Sequence, residues 1–329
     1  MSASPRARMT AIVGLAAVVA AGAVAGVTLL QTHGERTTVP GAVVAPRAGY
    51  PPLQLEFGVR QDAQARALGA AQTLYNRGKV GQAARVFARY GSLEARLAAA
   101  FAAWKRTGLD PVRRLAAAHP RSPLVQLHLG WADYWAGRNA DALAAWQRAA
   151  SLGADSPYGV DAQDALHPAF TIPGLPLLVT GTTLPEAIRK LPPPQQLAAL
   201  RAAAAGGGER EKLRYGVALW NLRRPVSAER QFAGAAKLAP GDPVARVAAA
   251  VGRFTKSDPA KAFGKLGPLT AVFPRSPVVE FHLGLLLLWI AEREKALRHL
   301  RATVADAPQS IYAKDARALL ARLANNGTK

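Results

Sequence analysis

A step of 34 residues constrains this chain more than any other feature. Ala228, Ala262 and Ala296 recur at that spacing, and so do Pro240, Pro274 and Pro308, each alanine lying 12 residues before its proline. This is the length of a helix-turn-helix repeat that ends in a proline-initiated turn. A longer period lies over it. The segment that opens PRSPLVQLHLGWADYWAG (120–166) matches the one that opens PRSPVVEFHLGLLLLWIA (274–320) at 16 of 47 ungapped positions. LYNRGKVGQAARVFA (74–88) matches LWNLRRPVSAERQFA (219–233), and ARLAAAF (95–101) matches ARVAAAV (245–251). Matches that keep their order mean that one long unit occurs twice.

The residue types fit stacked helices. Half of the chain is hydrophobic, only 7% is aromatic, and much of the apolar content is alanine, a strong helix former. A lone helical hairpin cannot bury its apolar face, but a stack of six can. Gly130, Ala142 and Ala149 fall where helices cross closely. Trp146, Phe232 and Phe87 fill the space between hairpins, and Pro240 and Pro274 stop one repeat before the next. The pattern resembles the tetratricopeptide-repeat (TPR) family, which places a small residue in the first helix, alanine early in the second, a large apolar residue four later, and proline at the close. Ala71, Gly78, Ala83 and Phe87 follow it in the first repeat. Gly130, Gly137, Ala142, Trp146 and Ala149 follow it further on, as do Gly216, Ala228, Phe232, Ala235 and Pro240, and Gly284, Ala296, Leu300 and Pro308. The fold expected is all-α, a TPR-like α-solenoid in two blocks preceded by a single transmembrane helix.

That helix is expected at 9–30, an uncharged run after the basic residues Arg6 and Arg8 of 1–8. Its length matches one bilayer core, and the basic flank holds the N-terminus in the cytoplasm. The rest of the chain then lies outside the cytoplasm. The competing reading is a signal peptide cleaved near Ala25, since Ala23-Val24-Ala25 fits the small-x-small pattern. Residues 31–56, with Pro40, Pro46, Pro51 and Pro52, read as an extended tether. Block 1 is expected at 57–166, with a truncated helix pair at about 92–120. A proline-rich linker follows at 167–197, its apolar stretch from Ile172 to Val179 suited to packing on a helix end. Block 2 is expected at 198–324, closed by a capping helix at 310–323, and 325–329 form a tail.

The TPR resemblance implies a concave groove lined by the first helices, which binds an extended peptide or a partner helix. Tyr75, Trp104, Tyr134, Trp220, Phe254 and Leu288 each lie four residues past the small residue of a first helix, and Trp131, Trp135 and Trp289 adjoin them. Asn76 and Asn221, equivalent in the two units, could pair with a peptide backbone. The competing reading packs these rings between helices and makes the asparagines C-terminal caps.

The chain has no cysteine, so disulfides, thiolate metal sites and cysteine nucleophiles are excluded. No HExxH, P-loop, dinucleotide fingerprint or GxSxG turn is present. His128 and His282, equivalent by duplication, are expected to be structural. His299, beside Arg298 and Arg301, is in poor company for a cation, and Asp161 and Asp164 read as a solvated helix face. No catalytic residue, cofactor or metal is therefore expected. A net charge of +21 would attract an anionic polymer or lipid headgroups, but the basic residues are scattered, which argues against nucleic acid. The function expected is a membrane-tethered scaffold for protein or peptide partners, or an accessory subunit of an enzyme complex, with electrostatic binding of an anionic surface as the alternative.

Overall fold

The computed structural model describes residues 45–325. All regular structure among them is helical, in eighteen helices, and the chain divides into two compact units, residues 1–169 and 170–329. The expected anchor at 9–30, with 1–8 and the first part of the tether, lies outside the described residues. Within them no helix is long and apolar enough to cross a membrane.

In the first unit, α1 (Ala63–Asn76) and α2 (Val80–Phe87) form a hairpin. The truncated pair follows as α3 (Leu93–Ala102), the single turn α4 (Trp104–Thr107) and α5 (Asp110–Ala118). A third hairpin, α6 (Pro123–Trp135) and α7 (Asn139–Leu152), is closed by α8 (Pro157–Leu166). In the second unit, the short α9 (Glu186–Arg189) and α10 (Pro193–Gly206) precede the hairpin of α11 (Glu209–Asn221) and α12 (Pro225–Leu238). Next come α13 (Pro243–Val251), with α14 (Ala260–Leu266) and α15 (Leu269–Val272) opposite it, then the pair α16 (Pro277–Trp289) and α17 (Arg293–Asp306). The cap expected near 310–323 is α18 (Ile311–Asn325).

Helix starts follow from local chemistry. Asp62, Ser92, Ser122, Ser156 and Asp242 each accept an N–H from the first turn of the helix they precede. After three of them a proline, Pro123, Pro157 or Pro243, occupies a position whose N–H would have no partner in the helix.

The small residues are there for close approach. A β-carbon on Gly130 would stand 2.3 Å from the Trp146 ring, and one on Gly216 would stand 2.5 Å from Phe232. Ala83, Ala142, Ala228, Ala262 and Ala296 are fully buried. Three hairpins therefore interlock a glycine on the first helix with a ring or leucine on the second, the third case being Gly284 against Leu300 (3.0 Å). The turns between paired helices need a left-handed residue. The first unit supplies Gly78 (φ 77°) and Gly137 (φ 79°), but the second unit uses Arg223 (φ 56°) and Ala291 (φ 61°).

The structure departs from expectation in the two proline-rich stretches. Residues 45–57 are not a free tether, and 170–183 are not a free linker. Both run extended and pack on the helices of their own unit. Burial alternates along them: Pro51, Leu53 and Leu55 are buried in one, and Pro176, Leu178 and Thr180 in the other. Proline bars a helix, and apolar residues at every second position suit an extended chain with one face on a core. The division between units falls inside the expected 167–197 linker, whose larger part belongs to the second unit.

Two substitutions test this packing. Gly130→Ala should destabilise the protein by about 1–3 kcal/mol, because the Trp146 ring must move. Ala291→Gly should stabilise it by about 1 kcal/mol by removing a left-handed β-carbon. Urea unfolding midpoints of the two variants should move in opposite directions.

Candidate functional site

The aromatic positions converge on the extended segments, here called straps. In the first unit the strap runs along the first helices from their C-terminal ends toward their N-terminal ends. At its start the Arg47 N–H donates to the Trp135 carbonyl (2.7 Å). The Arg47 guanidinium donates to the Tyr134 carbonyl and lies 3.3 Å from the centre of the Tyr134 ring. The Trp135 indole N–H donates to the Ala48 carbonyl (3.2 Å). The Tyr75 hydroxyl donates to the Pro51 carbonyl (2.7 Å). Further along, the Gln54 N–H donates to His128 Nε2 (3.1 Å) and the Leu55 N–H to Gln72 Oε1 (2.8 Å). The Tyr158 hydroxyl accepts from the Glu56 N–H (3.1 Å).

The second unit repeats the arrangement with a different strap sequence. The Lys256 ammonium donates to the Ile172 carbonyl (2.7 Å), and the Trp220 indole N–H to the Pro176 carbonyl (2.8 Å). The Val179 N–H donates to His282 Nε2 (3.0 Å). A β-carbon on Gly181 would lie 3.8 Å from the Tyr312 hydroxyl, so Tyr312 stands where Tyr158 stands in the first unit. Even the bend before the proline recurs, with Gly49 at φ 85° and Gly174 at φ 82°. GYPPL at 49–53 and GLPLL at 174–178 are thus equivalent. The duplicated unit includes the strap as well as the hairpins.

The two histidines share one chemistry. Each is fully buried. Nδ1 of His128 faces the Leu124 carbonyl at 2.7 Å, and Nδ1 of His282 faces the Val278 carbonyl at 2.8 Å. A carbonyl only accepts, so Nδ1 carries the proton and Nε2 is left as the acceptor for the strap N–H. Aromatic rings pack edge-on against them, Phe101 against His128 and both Phe281 and Tyr312 against His282. Burial lowers each pKa to about 4. Burial also raises the Tyr75 and Tyr158 pKa values, which keeps both phenols protonated.

The predicted groove residues divide into three groups. Tyr75, Tyr134, Trp135, Trp220 and, through Lys256, Trp289 meet a strap. The Lys256 ammonium lies 5.0 Å from the Trp289 ring centre. Phe254 joins this group: it lies beyond the end of α13, not on it as expected, edge-on to the strap residue Phe170 and to Trp289 at 6.4 and 5.4 Å. Trp131 packs into its own hairpin, 4.9 Å from Trp146, and Trp104 is half-buried beside it. Asn76 and Asn221 are exposed at the last positions of α1 and α11, away from the strap contacts. In each unit, therefore, it is the chain itself that lies against most of the expected groove residues. Two smaller expectations change as well. His299 is 2.6 Å from Glu280 on the neighbouring helix, a partner distant in sequence. Asp161 is buried, not on a solvated face.

Sequence reasoning missed Gln72, Tyr158, Tyr312 and Lys256, and left both histidines without a specific contact. The duplicated Gly-x-Pro-x-Leu was the available signal. The helices α9 and α10, present only in the second unit, shift its register away from that of the other matches.

Comparison by sequence finds no matching family model and no matching curated relative. Among solved structures, similarity is found to YrrB, a TPR protein with an unusual peptide-binding site, at 16% identity and a TM-score of 0.31, over 64% of this chain and 99% of that one. The APC/C hetero-tetramer Cut9–Hcn1 gives 15% identity and a TM-score of 0.26, over 76% of this chain and 54% of that one. The C-terminal part of a TPR repeat-containing protein from Cytophaga hutchinsonii gives 13% and 0.27, over 76% and 98%. These overlays are loose, and the hairpin assignment rests on the helices themselves.

Two predictions follow from the seat. Tyr75→Phe and Trp220→Phe each leave a buried strap carbonyl without its donor and should cost about 1–3 kcal/mol in unfolding free energy. The histidines set a pH dependence. Their folded pKa of about 4 lies below the unfolded 6.5, so between these values the unfolded chain binds more protons. Stability should be full above pH 6.5 and fall as pH drops toward 4, by roughly 3 kcal/mol per histidine. Urea titrations at pH 7, 5.5 and 4 should show this loss, and the His128→Gln/His282→Gln double variant should flatten it.

Proposed function

We propose that this protein is an interaction scaffold, held at a membrane by residues 9–30, that binds extended polypeptide segments of partner proteins outside the cytoplasm. The observation that carries this is the form of the seat. In each unit a ring donor and a histidine acceptor converge on the carbonyl and N–H groups of an extended chain. Such contacts read main chain, so they serve a segment of any protein that presents the same conformation. The TPR-like repetition of hairpins favours the same use. The membrane placement is supported by the uncharged run at 9–30 behind Arg6 and Arg8.

The test is capture from detergent-solubilised membranes after crosslinking in intact cells, with proximity labelling from the C-terminus. A specific protein partner, labelled together with proteins outside the cytoplasm, is the expected outcome. Recovery of no partner, or labelling confined to cytoplasmic proteins, would count against the corresponding half of the proposal.

The net charge of +21 favours a second reading, binding of an anionic polymer or lipid surface. Retention on anionic vesicles should then fall steeply between low and physiological salt. Salt-insensitive retention, or none, removes it.

A further inference from the structure

The straps define what the seats accept, an inference that rests on the scaffold reading and refines it. We propose that each strap is a resident stand-in for a partner, and that a vacated seat takes an extended partner segment carrying Gly–apolar–Pro–x–Leu.

The two straps are a natural comparison of ligands. Along 49–54 and 174–179 they share the glycine, the proline and the leucine, and differ at Tyr50/Leu175, Pro52/Leu177 and Gln54/Val179. The shared residues are those the geometry uses. Gly49 and Gly174 have positive φ, a conformation that side chains resist. Pro51 and Pro176 present the carbonyl taken by Tyr75 or Trp220. Leu53 and Leu178 are buried at 1% and 7% exposure. Of the variable residues, Gln54 and Val179 give the N–H taken by histidine, while the Tyr50 ring lies edge-on to Tyr75 and Leu175 packs on the helical core in its place, so that position accepts different apolar side chains. Leu177, at 52% exposure, faces solvent. A seat that holds two different sequences by three shared residues, recurring backbone bonds and a tolerant apolar position behaves as a motif-reading site.

The first strap can also leave without dismantling a hairpin. It joins α1 through a loop in which Gly58, Arg60 and Gln61 are exposed, so that joint can move while α1 stays in place. Covalent attachment gives the strap a high effective concentration, so it occludes the seat until a competing segment replaces it.

The test uses the full-length protein with a protease recognition sequence inserted in the exposed 58–61 loop. After cutting, the first strap is held only by its contacts. A fluorescent peptide of residues 47–57 should then enter the unit, followed by anisotropy, and enter the uncut chain at least about tenfold more weakly. Unlabelled peptide 172–182 should compete. A 47–57 peptide carrying Leu53→Ser should bind about tenfold more weakly than the parent, because it forfeits most of the leucine burial. If cutting costs helicity, added 47–57 peptide should restore it. Absence of both uptake and recovery overturns the proposal, as does equal binding of the Leu53→Ser peptide. Energy transfer that develops between two differently labelled uncut copies, one tagged on the strap and one on α1, would show strap exchange between copies and overturn the assignment to a foreign segment. Peptide uptake with no partner captured from membranes supports the seat's specificity and removes the scaffold reading.

Discussion

An extended chain pressed onto an apolar surface must find a partner for each peptide group that it takes out of water. A buried carbonyl or N–H left alone costs about 1–3 kcal/mol, and a strap has no neighbouring strand to supply bonds. The helices beneath can help with their own backbone only at their C-terminal ends, where the Tyr134 and Trp135 carbonyls accept from Arg47; elsewhere that backbone is already paired. Side chains have to do it, and they must be stiff enough to point reliably. Tyr75, Trp135, Trp220, His128 and His282 are rings with few rotatable bonds, each presenting one polar atom to the strap. This requirement explains why aromatic residues accumulate on the first helices. It also explains why a histidine rather than a lysine or arginine meets the strap N–H, since only a neutral imidazole offers an acceptor there while its other nitrogen is tied to the helix.

The rest of the architecture serves that surface. Small residues let paired helices approach until a β-carbon on Gly130 would collide with Trp146, which sets the spacing within each such pair. The caps Asp62 and Ser122 fix where α1 and α6 begin, hence the axial height of Tyr75, His128 and Trp135. The same height recurs in both units, and so the same strap atoms are met by equivalent residues. Two copies with diverged strap sequences and unequal helix inventories keep one pattern of contacts.

The hairpins were legible because their signals are local and repeated. Ala228, Ala262 and Ala296 mark second helices, and a proline marks each turn. The aromatic positions were legible too, since four residues past a small helical residue is a fixed direction on a helix. What faced those rings was not. Residues 45–57 and 170–183 carry prolines and no helical period, the usual appearance of a linker, and their alternation of buried and exposed residues spans only a few positions. Their partners lie far off in sequence. Gln54 meets His128 and Val179 meets His282 across 74 and 103 residues, separations that no short-range pattern reports. Asp161 and His299 were misjudged for the same reason: neighbours along the chain say little about neighbours across helices.

The first strap has a further property that concerns its birth. It precedes every described helix of its unit, yet its contacts lie 24, 74 and 102 residues downstream, at Tyr75, His128 and Tyr158. A chain made from its N-terminus therefore produces this segment before any of its partners and completes its fastening only after α8 has been added. Loop closure over such distances is slow compared with hairpin formation. Until then an apolar, proline-containing stretch travels unprotected, the kind of segment that a chaperone or translocation factor recognises.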